Sequence, residues 1–203
     1  MTITVFDYGA GNLHSLVKVL SESGHPVVLE TDMARALRTD LLVLPGVGAF
    51  AAAVTRLAAA RDAVREALRA GLPCLGICLG MQLLFEGSDE GPGEGIGLFA
   101  GRVTRLAAAR VPQIGWNTLE DVTDPLFARA SLRTAYYANS FVCRPDDPSC
   151  VVAWSSHDGD RFPAAVRAGS VLGVQFHPEK SSTPGVSFIR QFITDAFDGG
   201  RAC

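Results

Sequence analysis

A chain of 203 residues with 48% hydrophobic content is long enough to bury a core as one domain. Its formal charge of −3 gives no electrostatic footprint for nucleic acid or an anionic membrane surface, and no apolar run is long enough to span a bilayer. Cys74, Cys78, Cys143, Cys150 and Cys203 are odd in number and lack both small-domain and paired C-x-x-C spacing, which argues against a disulfide framework or zinc site and for a reduced, cytoplasmic setting.

The first residues, Met1-Thr2-Ile3-Thr4-Val5-Phe6, read as a strand and not as a signal peptide, because no basic region precedes them and Asp7 ends the run. Asn12 is placed to cap a helix with Leu13, Leu16, Val17 and Leu20 on one face, closing at Gly24. Pro26 to Leu29 is a strand. Leu41 to Leu44 is another, apolar throughout and therefore expected to be central. A helical pattern through Val64, Ala67 and Leu68 ends at Gly71, and Pro73 to Ile77 follows as a buried strand feeding a helix from Leu79 to Phe85. This alternation predicts an α/β, single-domain, three-layer fold over 1–203 with a central, mostly parallel sheet. Gly87 to Gly97 reads as a loop. Short strands follow at Val111 to Asn117, Ala135 to Cys143, Val151 to Trp154 and Ala164 to Val166, then one at Val171 to Phe176. Thr183-Pro184 opens a last helix with Ile189, Phe192, Ile193 and Ala196 inward.

Gly76-Ile77-Cys78-Leu79-Gly80 is the thiol form of a nucleophile elbow, a sharp strand-to-helix turn that projects its apex side chain into open space. Small residues two before and two after are required because a Cβ there would collide with the neighbouring strand or helix. First-turn N–H groups and the helix dipole favour a thiolate. Read alone, a cysteine between glycines is more often a small core residue; what lifts this one is a matching base. His177 closes the strand Val171 to Phe176, and Glu179, two residues on, can orient it. His157 competes, having Asp158 beside it, but lies in the polar turn Asp158-Gly159-Asp160. Parallel strands share the edge where their carboxyl ends emerge, which favours His177.

Two glycine-rich turns have alternatives. Gly9-Ala10-Gly11-Asn12 resembles a dinucleotide fingerprint, but His14 stands where the third glycine belongs, so a plain turn is the stronger reading. Pro45-Gly46-Val47-Gly48-Ala49 is either a plain turn or a source of N–H donors for an oxyanion at the same sheet edge as Cys78.

With these pieces in place the chain resembles the class I (triad) glutamine amidotransferases over essentially its full length. The resemblance rests on Asp7 to Leu13, Leu44 to Phe50, Gly76 to Phe85, Ile114-Gly115-Trp116-Asn117 and Gly173 to Ser181. The Cys and His-x-Glu pieces indicate the superfamily; the first, second and fourth runs, with Lys180, resemble its glutaminase subunits of histidine biosynthesis.

The resemblance implies a Cys78–His177–Glu179 triad that hydrolyses glutamine to glutamate and ammonia through a thioester. It implies an oxyanion site in the backbone of Gly46, Val47, Gly48 and Leu79, and substrate contacts from Gln82, Glu90, Ser140 and Phe141. Ammonia would pass to a (β/α)8 cyclase subunit, in a heterodimer contacted by Trp116, Asn117 and Lys180, that makes imidazole glycerol phosphate and aminoimidazole carboxamide ribotide. No metal, organic cofactor, nucleic acid or membrane is implied. Gln113 and Asn139 stand where the family usually has histidine, and Phe141 where it often has tyrosine; amides can replace a hydrogen bond of imidazole but cannot titrate. The alternatives are a glutaminase of another amidotransferase, which would lack Ile114 to Asn117, a free-standing cysteine hydrolase, which would lack Gln82 and Glu90, and a regulatory module, against which the intact triad argues.

Overall fold

The computed structural model describes residues 1–9, 11 and 13–199. Asn12, the expected helix cap, and Cys203 lie outside them. The chain runs through β1 (Ile3–Phe6), α1 (His14–Ser21), β2 (Val27–Glu30), α2 (Met33–Ala36), β3 (Leu41–Leu44), α3 (Phe50–Leu57), α4 (Arg61–Arg69), β4 (Cys74–Ile77) and α5 (Leu79–Leu83). It continues through β5 (Gly87–Ser88), β6 (Gly91–Glu94), β7 (Gly101–Arg105), β8 (Gln113–Thr118), α6 (Pro125–Arg129), β9 (Thr134–Asn139) and β10 (Phe141–Pro145). Last come β11 (Val151–His157), β12 (Asp160–Ala168), β13 (Val171–Val174) and α7 (Ser182–Gly199).

The main sheet has the order β11-β12-β13-β4-β3-β1-β2, parallel from β13 to β2 and antiparallel across β11, β12 and β13. Strands β1, β3, β4 and β13 are buried at every residue, as strands covered on both faces must be. Their side chains alternate between two cores. Leu41 and Val43 pack with α1, α6 and α7, whereas Leu42 and Leu44 pack with α3, α4 and α5. That is the expected three-layer α/β arrangement with a mostly parallel sheet. No helix among the described residues is long and apolar enough to cross a membrane.

Several element readings are corrected. The segment from Gly87 to Gly97 is not all loop: β5 and β6 pair in a second sheet of order β10-β7-β5-β6. Most of β6 is exposed, so its pairing comes from the backbone and leaves no apolar alternation to read. Helix α1 buries Leu16, Val19 and Leu20, while Leu13 and Val17 are only half-buried. Helix α5 stops at Leu83, where the Leu84 N–H turns back to the Met81 carbonyl. The expected strand from Ala135 to Cys143 is two, broken at Ser140, because β9 pairs with β8 and β10 with β7. Both β11 and β12 run further than expected, as a hairpin turning at Asp158-Gly159.

Candidate active site

Cys78 is held in a strained conformation, φ 46° and ψ −102°, between β4 and α5. A non-glycine residue there costs of order 1–3 kcal/mol and persists only when its surroundings impose it. Here the Cys78 N–H donates to the Val174 carbonyl at 2.7 Å, and the Cys78 carbonyl accepts from the Gln82 N–H at 3.1 Å. The flanking glycines let α5 descend onto the sheet. A Cβ on Gly76 would lie 2.8 Å from the Gly80 carbonyl oxygen, and one on Gly80 only 2.0 Å from that of Leu44. Gly80→Ala is therefore expected to lower unfolding free energy by at least about 1–3 kcal/mol, measured by urea denaturation. Wild-type stability in that variant would contradict the packing.

His177 follows β13, the strand next to β4. Its N–H donates to the Tyr136 carbonyl at 2.8 Å, and its carbonyl accepts from the Ser181 hydroxyl at 2.7 Å. The ring meets Glu179 on one side, with Nδ1 and Oε1 2.8 Å apart, and has Cys78 as its other interacting partner. A carboxylate only accepts, so Nδ1 carries a proton and the second ring nitrogen faces the sulfur. Burial disfavours the imidazolium, but Cys78 and Glu179 together outweigh it and push His177 up to about 10. Glu179 Oε2 is buried with no hydrogen-bond partner among the described residues. His157 is placed differently: its Nε2 lies 3.0 Å from the Arg110 carbonyl.

Burial pushes the thiols of Cys74, Cys143 and Cys150 up, disfavouring their thiolates. All four described cysteines are free.

The loop carrying Gly46, Val47 and Gly48 leaves β3 against the pair. A Cβ on Gly46 would sit 2.9 Å from His177 Cε1 and 3.0 Å from Cys78 Cβ, so only glycine brings this backbone so close. Gly11 has a related reason: a Cβ there would lie 2.5 Å from that of Val47. The glycine of the fingerprint-like turn thus makes room for Val47, a packing role that sequence alone could not disclose.

A cavity of about 200 Å³ is lined by Gly46, Gly48, Cys78, Leu79, Gln82, Glu90, Ala138, Asn139, Ser140 and Phe141. It gathers the expected substrate residues beside the sulfur. Glu90 sits exposed at its rim; partial burial raises its carboxyl, opposed by a hydrogen bond from the Phe50 N–H. Gln82 is buried and donates from Nε2 to the Phe141 carbonyl at 3.1 Å and to Gln175 Oε1 at 3.3 Å. Both its amide hydrogens are thereby used, which leaves Oε1 for a ligand. A larger hollow of about 610 Å³, bordered by Asp40, Pro73 and Ser170, lies at the amino-terminal ends of the strands, away from Cys78.

On the outer side, Trp116 is 56% exposed and meets Tyr136 edge-on across the β8–β9 ribbon. Lys180 is exposed three residues after His177. Asn117 is more committed, donating from Nδ2 to the Ser156 carbonyl at 2.8 Å. Gln113 and Asn139 face each other in that ribbon, both buried.

The family model described as glutamine amidotransferase class-I matches residues 4–196. Among curated proteins, the imidazole glycerol phosphate synthase subunit HisH of Symbiobacterium thermophilum is 45% identical, over 92% of this chain and 91% of that protein. The proteins of the same name from Halobacterium salinarum and Synechococcus sp. (strain JA-2-3B'a(2-13)) are each 41% identical, over 95% and 94% of this chain and 92% and 91% of theirs. Among solved structures, a glutamine amidotransferase aligns with a TM-score of 0.74 at 21% identity, covering 96% of this chain and 98% of that one. Another, from Thermotoga maritima, aligns at 0.66 and 19% identity, covering 100% and 86%. At such identities the structures show a shared fold, and with the sequence matches they lead to one statement: this chain belongs to the class I glutamine amidotransferases, in the family of the HisH subunits.

Proposed function

We propose that this chain is the glutaminase subunit of an imidazole glycerol phosphate synthase in histidine biosynthesis, one cytoplasmic domain over 1–203 working as a heterodimer with a (β/α)8 cyclase. The observation that carries the reading is the strained Cys78, beside a His177–Glu179 pair 2.8 Å apart, at the wall of a cavity that the Gly46 loop also lines. The HisH name of the curated relatives supports the pathway.

The chemistry then runs as follows. The Cys78 sulfur attacks the side-chain carbonyl carbon of glutamine while His177 holds the thiol proton. N–H groups of Leu79 and the Gly46-Val47-Gly48 loop meet the oxyanion; one such donor is typically worth about 2.7–4 kcal/mol. The tetrahedral intermediate collapses, the C–N bond breaks, and His177 gives its proton to the leaving ammonia. His177 next deprotonates a water that attacks the γ-glutamyl thioester, and glutamate leaves as the thiol is restored. Glu179 fixes the ring tautomer throughout. Glu90 suits the α-ammonium of glutamine, the backbone at Ser140 and Phe141 its α-carboxylate, and Gln82 Oε1 its amide.

Trp116, Asn117 and Lys180 would meet the cyclase, Lys180 through a partner carboxylate. Val47 is stiff at its β-branch and packed on Gly11, so the loop has reason to rest in one form and adopt another only when a partner binds that form better. Glutamate release should therefore be slow from the chain alone, faster with cyclase, and fastest with cyclase and its nucleotide ligand. Val47→Pro, lacking the N–H, should lose glutaminase activity yet still bind cyclase. Equal rates in all three mixtures would remove the gating while leaving the triad untouched.

A further inference from the structure

Gln175 is fully buried between β13 and His177, and nothing in the mechanism above uses it. Its Nε2 lies 3.5 Å from Cys78 Sγ, and its Oε1 accepts from Gln82 Nε2 at 3.3 Å. The direction of this amide is set by chemistry. The Phe141 carbonyl can only accept, and it takes hydrogen bonds from Gln82 Nε2 at 3.1 Å and Asn139 Nδ2 at 3.2 Å. Gln82 must therefore turn its nitrogen towards Phe141 and Gln175. Gln175 in turn must offer its oxygen to Gln82, which leaves its N–H₂ facing the sulfur. Reversing Gln175 would bring two nitrogens together and remove the donor from Cys78.

We propose that Gln175 is a further catalytic residue, whose side-chain N–H donates to the Cys78 sulfur and holds it as the thiolate, with Gln82 and the Phe141 carbonyl as positioning groups. A sulfur that loses its proton to His177 needs donors, and a hydrogen bond to an ion is stronger than one to a neutral group. Gln175 supplies this donor from the side opposite solvent, without a charge and without occupying the substrate cavity. The ionisable groups sharing the space are His177, Cys143, Glu90 at the rim of the cavity and, behind His177, Glu179. The proposal rests on Cys78 being the nucleophile.

The test is the rate at which iodoacetamide alkylates Cys78, followed by peptide mass spectrometry from neutral to alkaline pH. Gln175→Met should slow alkylation at neutral pH about tenfold, the worth of one hydrogen bond to an ion, and regain the wild-type rate at high pH. A packing defect alone would not vanish with alkali. An unchanged profile overturns the proposal. Should Gln175→Met fail to fold, the side-chain amide proton of Gln175 in the wild-type protein decides by NMR. Its shift should follow Cys78 ionisation and lose that response in Cys78→Ala; a response persisting in Cys78→Ala, or none in wild type, overturns it. Glutamine turnover surviving in Cys78→Ala would instead remove the nucleophile assignment, a failure the alkylation profile does not share.

Discussion

Cys78→Ala is expected to bring glutamine-dependent turnover to background, a loss of roughly 10⁴-fold or more, while leaving fold and cyclase binding intact. The expectation follows from the elbow. Among the described residues, only position 78 holds a thiol at positive φ, 8% exposed, at the wall of the polar cavity and close enough to His177 to favour its imidazolium. Burial disfavours the thiolates of Cys74, Cys143 and Cys150, so none of them should rescue the variant. Free ammonia should restore product formation by the proposed complex, in which the cyclase chemistry would lie in the partner. Turnover of glutamine in Cys78→Ala would falsify the thioester route.

The second large effect concerns proton transfer. His177→Ala should lose about 10²–10⁴-fold in glutamine turnover, the usual worth of general acid–base help, and more than Glu179→Ala loses. The ordering has a physical cause. In the proposed reaction His177 moves the proton between sulfur, ammonia and water, whereas Glu179 only fixes the tautomer and favours the imidazolium through its 2.8 Å contact. His157→Ala should be nearly silent, because His157 sits at the tip of the β11–β12 hairpin with its Nε2 held by the Arg110 carbonyl of the segment before β8. Steady-state rates for the three variants decide; an effect at His157 equal to that at His177 would reverse the choice of base.

The fold was legible wherever burial on both faces left an unbroken apolar run. β1, β3 and β4 could be read that way, and the order of strand and helix around them predicted the parallel sheet. Legibility failed where structure rests on backbone pairing. β6, Gly91–Glu94, has no apolar alternation, and the break at Ser140 depends on which strands β9 and β10 find as partners.

The candidate site shows the same division. Gly76 and Gly80 announce the elbow because a close approach admits only glycine, and Glu179 lies two residues from the histidine it contacts. The contact of Gln175 with Cys78 spans 97 residues and depends on β13 lying beside β4. No local pattern encodes it. Gly11 likewise looks like part of a phosphate-binding turn until Val47 is seen against it.

Labelling with an acivicin-type, glutamine-mimicking electrophile, followed by mass spectrometry of every cysteine-containing peptide, decides whether Cys78 is the nucleophile. It reports which sulfur a glutamine-shaped molecule reaches. One adduct, on the Cys78 peptide, blocked by excess glutamine and accompanied by loss of glutamate release, is the predicted result. An adduct on Cys74, Cys143, Cys150 or Cys203 in place of Cys78, or full turnover after complete labelling of Cys78, would contradict it.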